Sequence, residues 1–169
     1  IRATDTTGAI TNTGTINADA SRADKARATG IRTSDTTGSV SNNGTMVITA
    51  SGDEAEATGI HSDRTLGDIT NTYRTTVTAV ADEDDAEAYG IEADDTDGVI
   101  SNSGSLTVSA FTSGTDWRDD PAAVAIGIRT SGTTGSVSNN GTMVITASGG
   151  KAEATGIRSD RTVGDVTNT

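Results

Sequence analysis

Gly38-Ser-Val-Ser-Asn-Asn-Gly-Thr-Met-Val-Ile-Thr-Ala-Ser51 is the stretch that decides the fold. Its even positions carry Val40, Asn42, Met46, Ile48 and Ala50, with Gly38 and Gly44 between them. Its odd positions carry Ser39, Ser41, Asn43, Thr45, Val47, Thr49 and Ser51, nearly all polar. An alternation of period 2 belongs to a strand with one face buried. The glycines and Asn43 sit where a tight turn needs φ > 0 or a side chain that bonds to the backbone. The same residues return unchanged as Gly135–Ser148.

Outward from this stretch, its Gly-x-[Ile/Val]-x-Asn element recurs at Gly8–Asn12, Gly38–Asn42, Gly67–Asn71, Gly98–Asn102, Gly135–Asn139 and Gly164–Asn168. The Asn-to-Asn spacings are 30, 29, 31, 37 and 29. A second element, Ala-x-Ala-x-Gly-Ile, falls between them and ends at Ile31, Ile60, Ile91, Ile128 and Ile157. Repetition at this period means that each unit buries its apolar face against its neighbours. In the second unit the pattern predicts strands over Ser39–Ser41, Thr45–Thr49 and about Glu54–Ile60. No apolar stripe of helical spacing is long enough to pack, and the chain holds 32 Thr and 20 Gly. Propeller blades need longer repeats, and a sandwich has no need for identical units.

The expected fold is therefore all-β: a right-handed parallel β-helix, or β-solenoid, with about 30 residues and three short strands per coil. Five to six coils stacked at strand spacing would rise roughly 25–30 Å. Residues 1–169 are read as one solenoid segment of a longer array, because both ends cut a repeat in mid-unit. Ile31–Thr72 returns as Ile128–Thr169 with six differences, so a block of coils has been duplicated.

Composition narrows the function classes. Apolar residues make up 32% and aromatics 2%, and the net charge is −12. Such numbers are compatible with disorder, but disorder gives no reason to place an apolar residue two positions after every one of these glycines. The sequence pI near 4.2 argues against nucleic acid and anionic membrane surfaces. No run is apolar enough for direct membrane insertion of this segment. Zero Cys excludes a disulfide scaffold and a thiolate zinc site.

The candidate site residues fall into two groups. Asn12, Asn42, Asn71, Asn102, Asn139 and Asn168 share the inward parity of the Ile or Val before them, so their amides need partners. A stacked Asn ladder that fixes turn and register is the expectation. The long 37-residue spacing marks an insertion at about 111–122, holding the chain's only Phe, Trp and Pro. Extra length in a solenoid leaves as a loop on one face, often the binding face. Phe111, Trp117 and Arg118 are the expected contacts with any partner. Acidic clusters at Asp53–Glu54, Asp82–Asp85 and Asp116–Asp120 suggest no cofactor beyond weak surface Ca2+ binding, since Gly150 and Lys151 replace Asp53 and Glu54 in the duplicate. Asp5, Asp35, Asp63 and Asp95 read as a second acidic turn, interrupted by Gly132. His61 shares an outward slot with Arg32, Glu92, Arg129 and Arg158, and reads as a surface side chain. No catalytic constellation is legible, so no enzyme is expected.

The elements Ala-x-Ala-x-Gly-Ile, Gly-x-Ile-x-Asn and Gly-Thr-x-x-[Ile/Val]-x-Ala, the last as Gly44–Ala50 and Gly141–Ala147, resemble the repeats of bacterial autotransporter passengers and related large surface adhesins. The resemblance spans essentially the whole chain and is one of repeat style. It implies a β-helix stalk at the cell surface, outer membrane-associated or extracellular, acting in adhesion, aggregation or biofilm formation. Its implied partners are neighbouring repeats or identical subunits end to end, surface glycans, or other cell-surface proteins. A glycan-binding or polysaccharide-cleaving β-helix module is the alternative.

Overall fold

A computed structural model describes residues 1–113 and 121–169. All regular structure among the described residues is strand, and every strand pairing is parallel. The chain winds through three sheets in turn, so consecutive strands lie in different sheets and each strand pairs with its equivalent one coil away. The first sheet stacks β1 (Arg2–Thr4), β4 (Lys25–Thr36), β7 (Glu54–Thr65), β10 (Ala86–Asp94), β13 (Ala122–Ser131) and β16 (Lys151–Asp160). The second stacks β2 (Ile10–Asn12), β5 (Val40–Asn42), β8 (Ile69–Asn71), β11 (Ile100–Asn102), β14 (Val137–Asn139) and β17 (Val166–Asn168). The third stacks β3 (Thr15–Ser21), β6 (Thr45–Gly52), β9 (Arg74–Ala81), β12 (Ser105–Thr112) and β15 (Thr142–Ser148). This is a parallel β-solenoid of about five turns, the fold that the repeat calls for.

The register puts like on like. Val40 pairs with Ile69, Ile69 with Ile100, and Ile100 with Val137. On the first sheet, Ala57 pairs with Ala28 and Ala88, and Ile60 with Ile31 and Ile91. These columns form one continuous apolar core along the axis. Ile31, Ile48, Ile60, Ile69, Ile91, Ile100 and Ile128 are all fully enclosed in it. A one-residue slip would exchange this set for the Ser and Thr face, so the register is strongly fixed.

The first-sheet strands run further than the sequence predicts. Instead of ending at Ile60, β7 continues to Thr65. Burial along it changes parity at Gly59–Ile60, where two successive residues face inward. The strand bends there without leaving the sheet, a turn that a strict period-2 reading takes for a terminus. Glycine is required at the bend. A Cβ on Gly59 would stand 2.5 Å from the carbonyl oxygen of Gly90, and one on Gly90 would stand 2.5 Å from that of Gly127. Similarly, β12 runs through Phe111 and Thr112 and β13 opens at Ala122, so these three residues extend strands on either side of the insertion.

The second acidic turn needs a correction. Asp63 pairs with Ser34 and Asp94, which places it one position before the turn. The residues that share the turn are Asp5, Asp35, Arg64, Asp95, Gly132 and Arg161, all with φ between 48° and 68°. The column is defined by its left-handed backbone. Asp and Gly both populate that region, and so Gly132 fits the series instead of breaking it. Arg64 turns the column's charge to use, donating through Nε and Nη2 to the two carboxylate oxygens of Asp35 at 2.6 and 2.9 Å. That pairing holds the Asp35 carboxyl below its ordinary value.

Candidate functional site

The Asn column is the most ordered polar feature of the interior. Asn12 Nδ2 donates to Asn42 Oδ1 at 2.7 Å, Asn42 to Asn71 at 2.8 Å, and Asn71 to Asn102 at 2.7 Å. Asn102 donates to Asn139 and Asn139 to Asn168, each at 2.7 Å. The chain of amides is therefore unbroken through all six coils of the second sheet. Every rung but Asn168 also ties down its own turn. Asn102 Nδ2 donates to the Gly104 carbonyl at 3.3 Å, and Asn139 Nδ2 to that of Gly141 at 3.0 Å. Amide dipoles aligned head to tail polarise one another in this dry setting, which strengthens each link.

Thr75 joins the ladder, and pattern reading passes it over. It occupies the inward slot held by Met46 and Leu106 in the adjacent coils. Its hydroxyl donates to Asn71 Oδ1 at 2.9 Å and accepts from Asn42 Nδ2 at 3.0 Å. A Thr in a Met and Leu column, four residues after an inward Asn, is the signal that could have found it.

A second polar constellation lies on the outer face of the first sheet. Arg2, Arg32, His61, Glu92, Arg129 and Arg158 form one column by strand register. His61 Nδ1 lies 2.8 Å from Glu92 Oε2, and Arg129 Nη1 donates to Glu92 Oε1 at 3.1 Å. The Arg129 guanidinium also sits over the Tyr89 ring, 5.4 Å from its centroid. The Glu92 side chain is only 13% exposed. Burial pushes its carboxyl up, but the His61 hydrogen bond and the charges of His61 and Arg129 outweigh burial and leave it below the ordinary glutamate value. The hydrogen bond to Glu92 raises the His61 imidazole, against burial and the repulsion of Arg32. Tyr89 is a feature that sequence reading missed. It replaces the Thr58 of the previous coil just before the bend, where the outer surface is concave enough to bury both residues. Burial pushes the Tyr89 hydroxyl up.

Beside this column runs a groove of about 440 Å3, lined among others by Glu87, Tyr89, Ile126, Arg129, Glu153 and Arg158. Its arginines are paired: Arg129 with Glu92, and Arg158 with Glu153 at 3.3 Å. Among the described residues no group of three His, Cys, Asp or Glu could hold a metal ion. Of the acidic positions singled out by sequence, Glu54 pairs with Lys25. Asp85 Oδ1 accepts from the Ala122 amide at 2.8 Å, which ties down the far side of the insertion.

Phe111 lies in β12 with its ring directed outward, 37% exposed. Trp117 and Arg118 lie outside the described residues. At the two ends of the stack the interior opens to solvent: Ile16, Ala18 and Ala20 are only partly covered at one end, and Met143, Ile145, Ala147 and Ile157 at the other. No family model, curated protein or solved structure matches this chain.

Proposed function

We propose that this chain is a structural segment of an extracellular bacterial fibre or surface adhesin, a rigid stalk built by stacking coils. The observation that carries the reading is the unbroken Asn ladder, seated in a core where Ile and Val stack on Ile and Val and Ala on Ala from coil to coil. Such a stack can be lengthened coil by coil without new chemistry. Duplication of Ile31–Thr72 as Ile128–Thr169 fits selection for length. Further coils, or identical subunits end to end, would continue the same columns and pair with exposed strand edges. Several first-sheet charges neutralise one another in pairs, as Arg27 with Glu56 and Arg129 with Glu92, as suits a solvated wall, and in this reading the chain has no enzymatic role. The segment stands at the cell surface, and Phe111 at the end of β12, with Trp117 and Arg118 of the adjoining insertion, meets surface glycans or other surface proteins.

Immunogold electron microscopy of intact producing cells, with antibody raised to this chain, tests the reading. Label standing away from the envelope is expected. Label confined to the cell interior would overturn the assignment.

A further inference from the structure

The outer face of the third sheet differs from the rest of the surface. Across β6, β9, β12 and β15 the outward positions carry a single charge, Arg74 at one edge, and β3 at the end of the sheet adds Asp19. This occurs in a chain with 12 basic and 24 acidic residues. Its strands are seven or eight residues long, and the exposed Val47, Phe111 and Val144 stand on it. Its central hydroxyls, those of Thr49, Thr76, Thr78, Thr107, Ser109 and Thr146, make no hydrogen bond within the described structure. Some outward hydroxyls elsewhere are engaged, as in Ser41 with Thr11 and Thr72 with Asn43.

Three of the four outward columns of β6, β9, β12 and β15 also read the same in both directions along the axis; in the fourth, Thr45, Arg74, Ser105, Thr142, Arg74 would meet Ser105. One column runs Val47, Thr76, Thr107, Val144. The next runs Thr49, Thr78, Ser109, Thr146, and the last Ser51, Val80, Phe111, Ser148. A two-fold axis parallel to the strands would lay this face on that of a second copy with the coil order reversed and the columns aligned. Val47 would then meet Val144 of the second copy, Thr76 would meet Thr107, and Val80 would meet Phe111. Apolar side chains fall on apolar ones and hydroxyls on hydroxyls, which is the self-complementarity that an isologous interface requires.

We infer that the outer face of the third sheet is a self-association surface, on which two copies of this chain pack antiparallel about that axis. Charge selects the face: two chains of net charge −12 repel, and this is the broad wall where they can approach without opposing like charges. The second-sheet face is also uncharged along Ser41, Thr70 and Ser101, but its strands are three residues long. Four rungs of seven residues cover about 19 by 23 Å. That is roughly 450 Å2 a side, against about 800 Å2 in a standard interface. The association is therefore reversible, with a dissociation constant in the micromolar range or weaker.

Sedimentation equilibrium of the 169-residue chain, with circular dichroism to verify folding, tests the inference. Val47→Lys and Val144→Asp, both at exposed positions, should each weaken self-association about tenfold, because each buries an unpaired charge. The two variants mixed should recover wild-type association, since the register sets Lys against Asp across the axis. A wild-type chain that stays monomeric to millimolar concentration would overturn the inference. So would single variants that associate like the wild type, or a mixture that shows no recovery. The inference does not depend on the fibre reading, because the chain self-associates by this face wherever it resides.

Discussion

Replacing Asn71 by Leu cuts the ladder at its centre while keeping the side chain close in size. In the wild type Asn71 donates to Asn102 Oδ1 at 2.7 Å and accepts from Asn42 Nδ2 at 2.8 Å and Thr75 Oγ1 at 2.9 Å. It also donates to the Tyr73 carbonyl at 3.4 Å, but that oxygen keeps the amide of Ser105 at 2.8 Å. The Asn42 amide keeps the hydroxyl of Thr75 at 3.0 Å. Three positions are left orphaned, the second Asn42 Nδ2 proton, the Thr75 hydroxyl proton and Asn102 Oδ1, all in buried residues. Each orphan costs about 1–3 kcal/mol, and burying the Leu side chain returns about 2 kcal/mol. The expected net loss is roughly 1–7 kcal/mol. With a urea slope of about 2 kcal/mol/M, the unfolding midpoint should fall by about 0.5–3.5 M. Asn168→Leu is the control. Asn168 accepts a single ladder bond at 2.7 Å, at an exposed end of the column, and its loss should cost under about 1 kcal/mol. Far-UV circular dichroism in urea measures both. If Asn71→Leu unfolds within about 0.3 M of the wild type, or no earlier than Asn168→Leu, the ladder does not stabilise the stack.

Three further outcomes follow from particular contacts. Gly90→Ala puts a methyl 2.5 Å from the Gly127 carbonyl oxygen and 2.7 Å from Leu106 Cδ2. It should lower the thermal midpoint by several degrees, as a loss of about 1–3 kcal/mol implies. Gly8→Ala, with nothing within 4 Å, should leave the midpoint nearly unchanged. Thr133 is fully buried and its hydroxyl has no partner, so Thr133→Val should hold or raise stability by about 1 kcal/mol in the same urea assay. The imidazole of His61 is raised above its ordinary value of 6.5 by Glu92, so its protonated form is favoured in the folded chain. That contribution is fully present below pH 6.5 and fades as pH rises through the raised folded value. An NMR titration of the chain's single His should show the raised midpoint. In Glu92→Gln both the shift and the accompanying slope of stability with pH should shrink.

The strand columns were legible because the interior obeys one rule, period 2 with like residue over like. Val40, Ile48 and Ile60 could be placed inward from their spacing alone, and so could the parity of the six Asn residues. The continuation of β7 past Gly59 was not legible, because a bend with two inward residues in succession breaks the alternation that marks a strand. Asp63 was assigned to the wrong column for a related reason. Side-chain type suggested an acidic turn, whereas backbone conformation put Arg64 there, and φ is not written in residue class. Thr75 and Tyr89 were hidden in a third way. Thr75 departs from its column in a single coil, Tyr89 and then Ile126 replace the Thr of theirs, and the partners Asn71 and Arg129 come from other strands. The outer face of the third sheet could be assembled only once the register aligned Val47 with Val144 along one column.

Cryo-electron microscopy of the native assembly that contains this segment tests the central claim most directly. The account predicts coils stacked at about 4.8 Å along a continuous axis, with the Asn column passing unbroken into the coils on either side. Isolated particles with closed ends, or a first-sheet groove occupied by a bound saccharide, would contradict a stalk built by stacking.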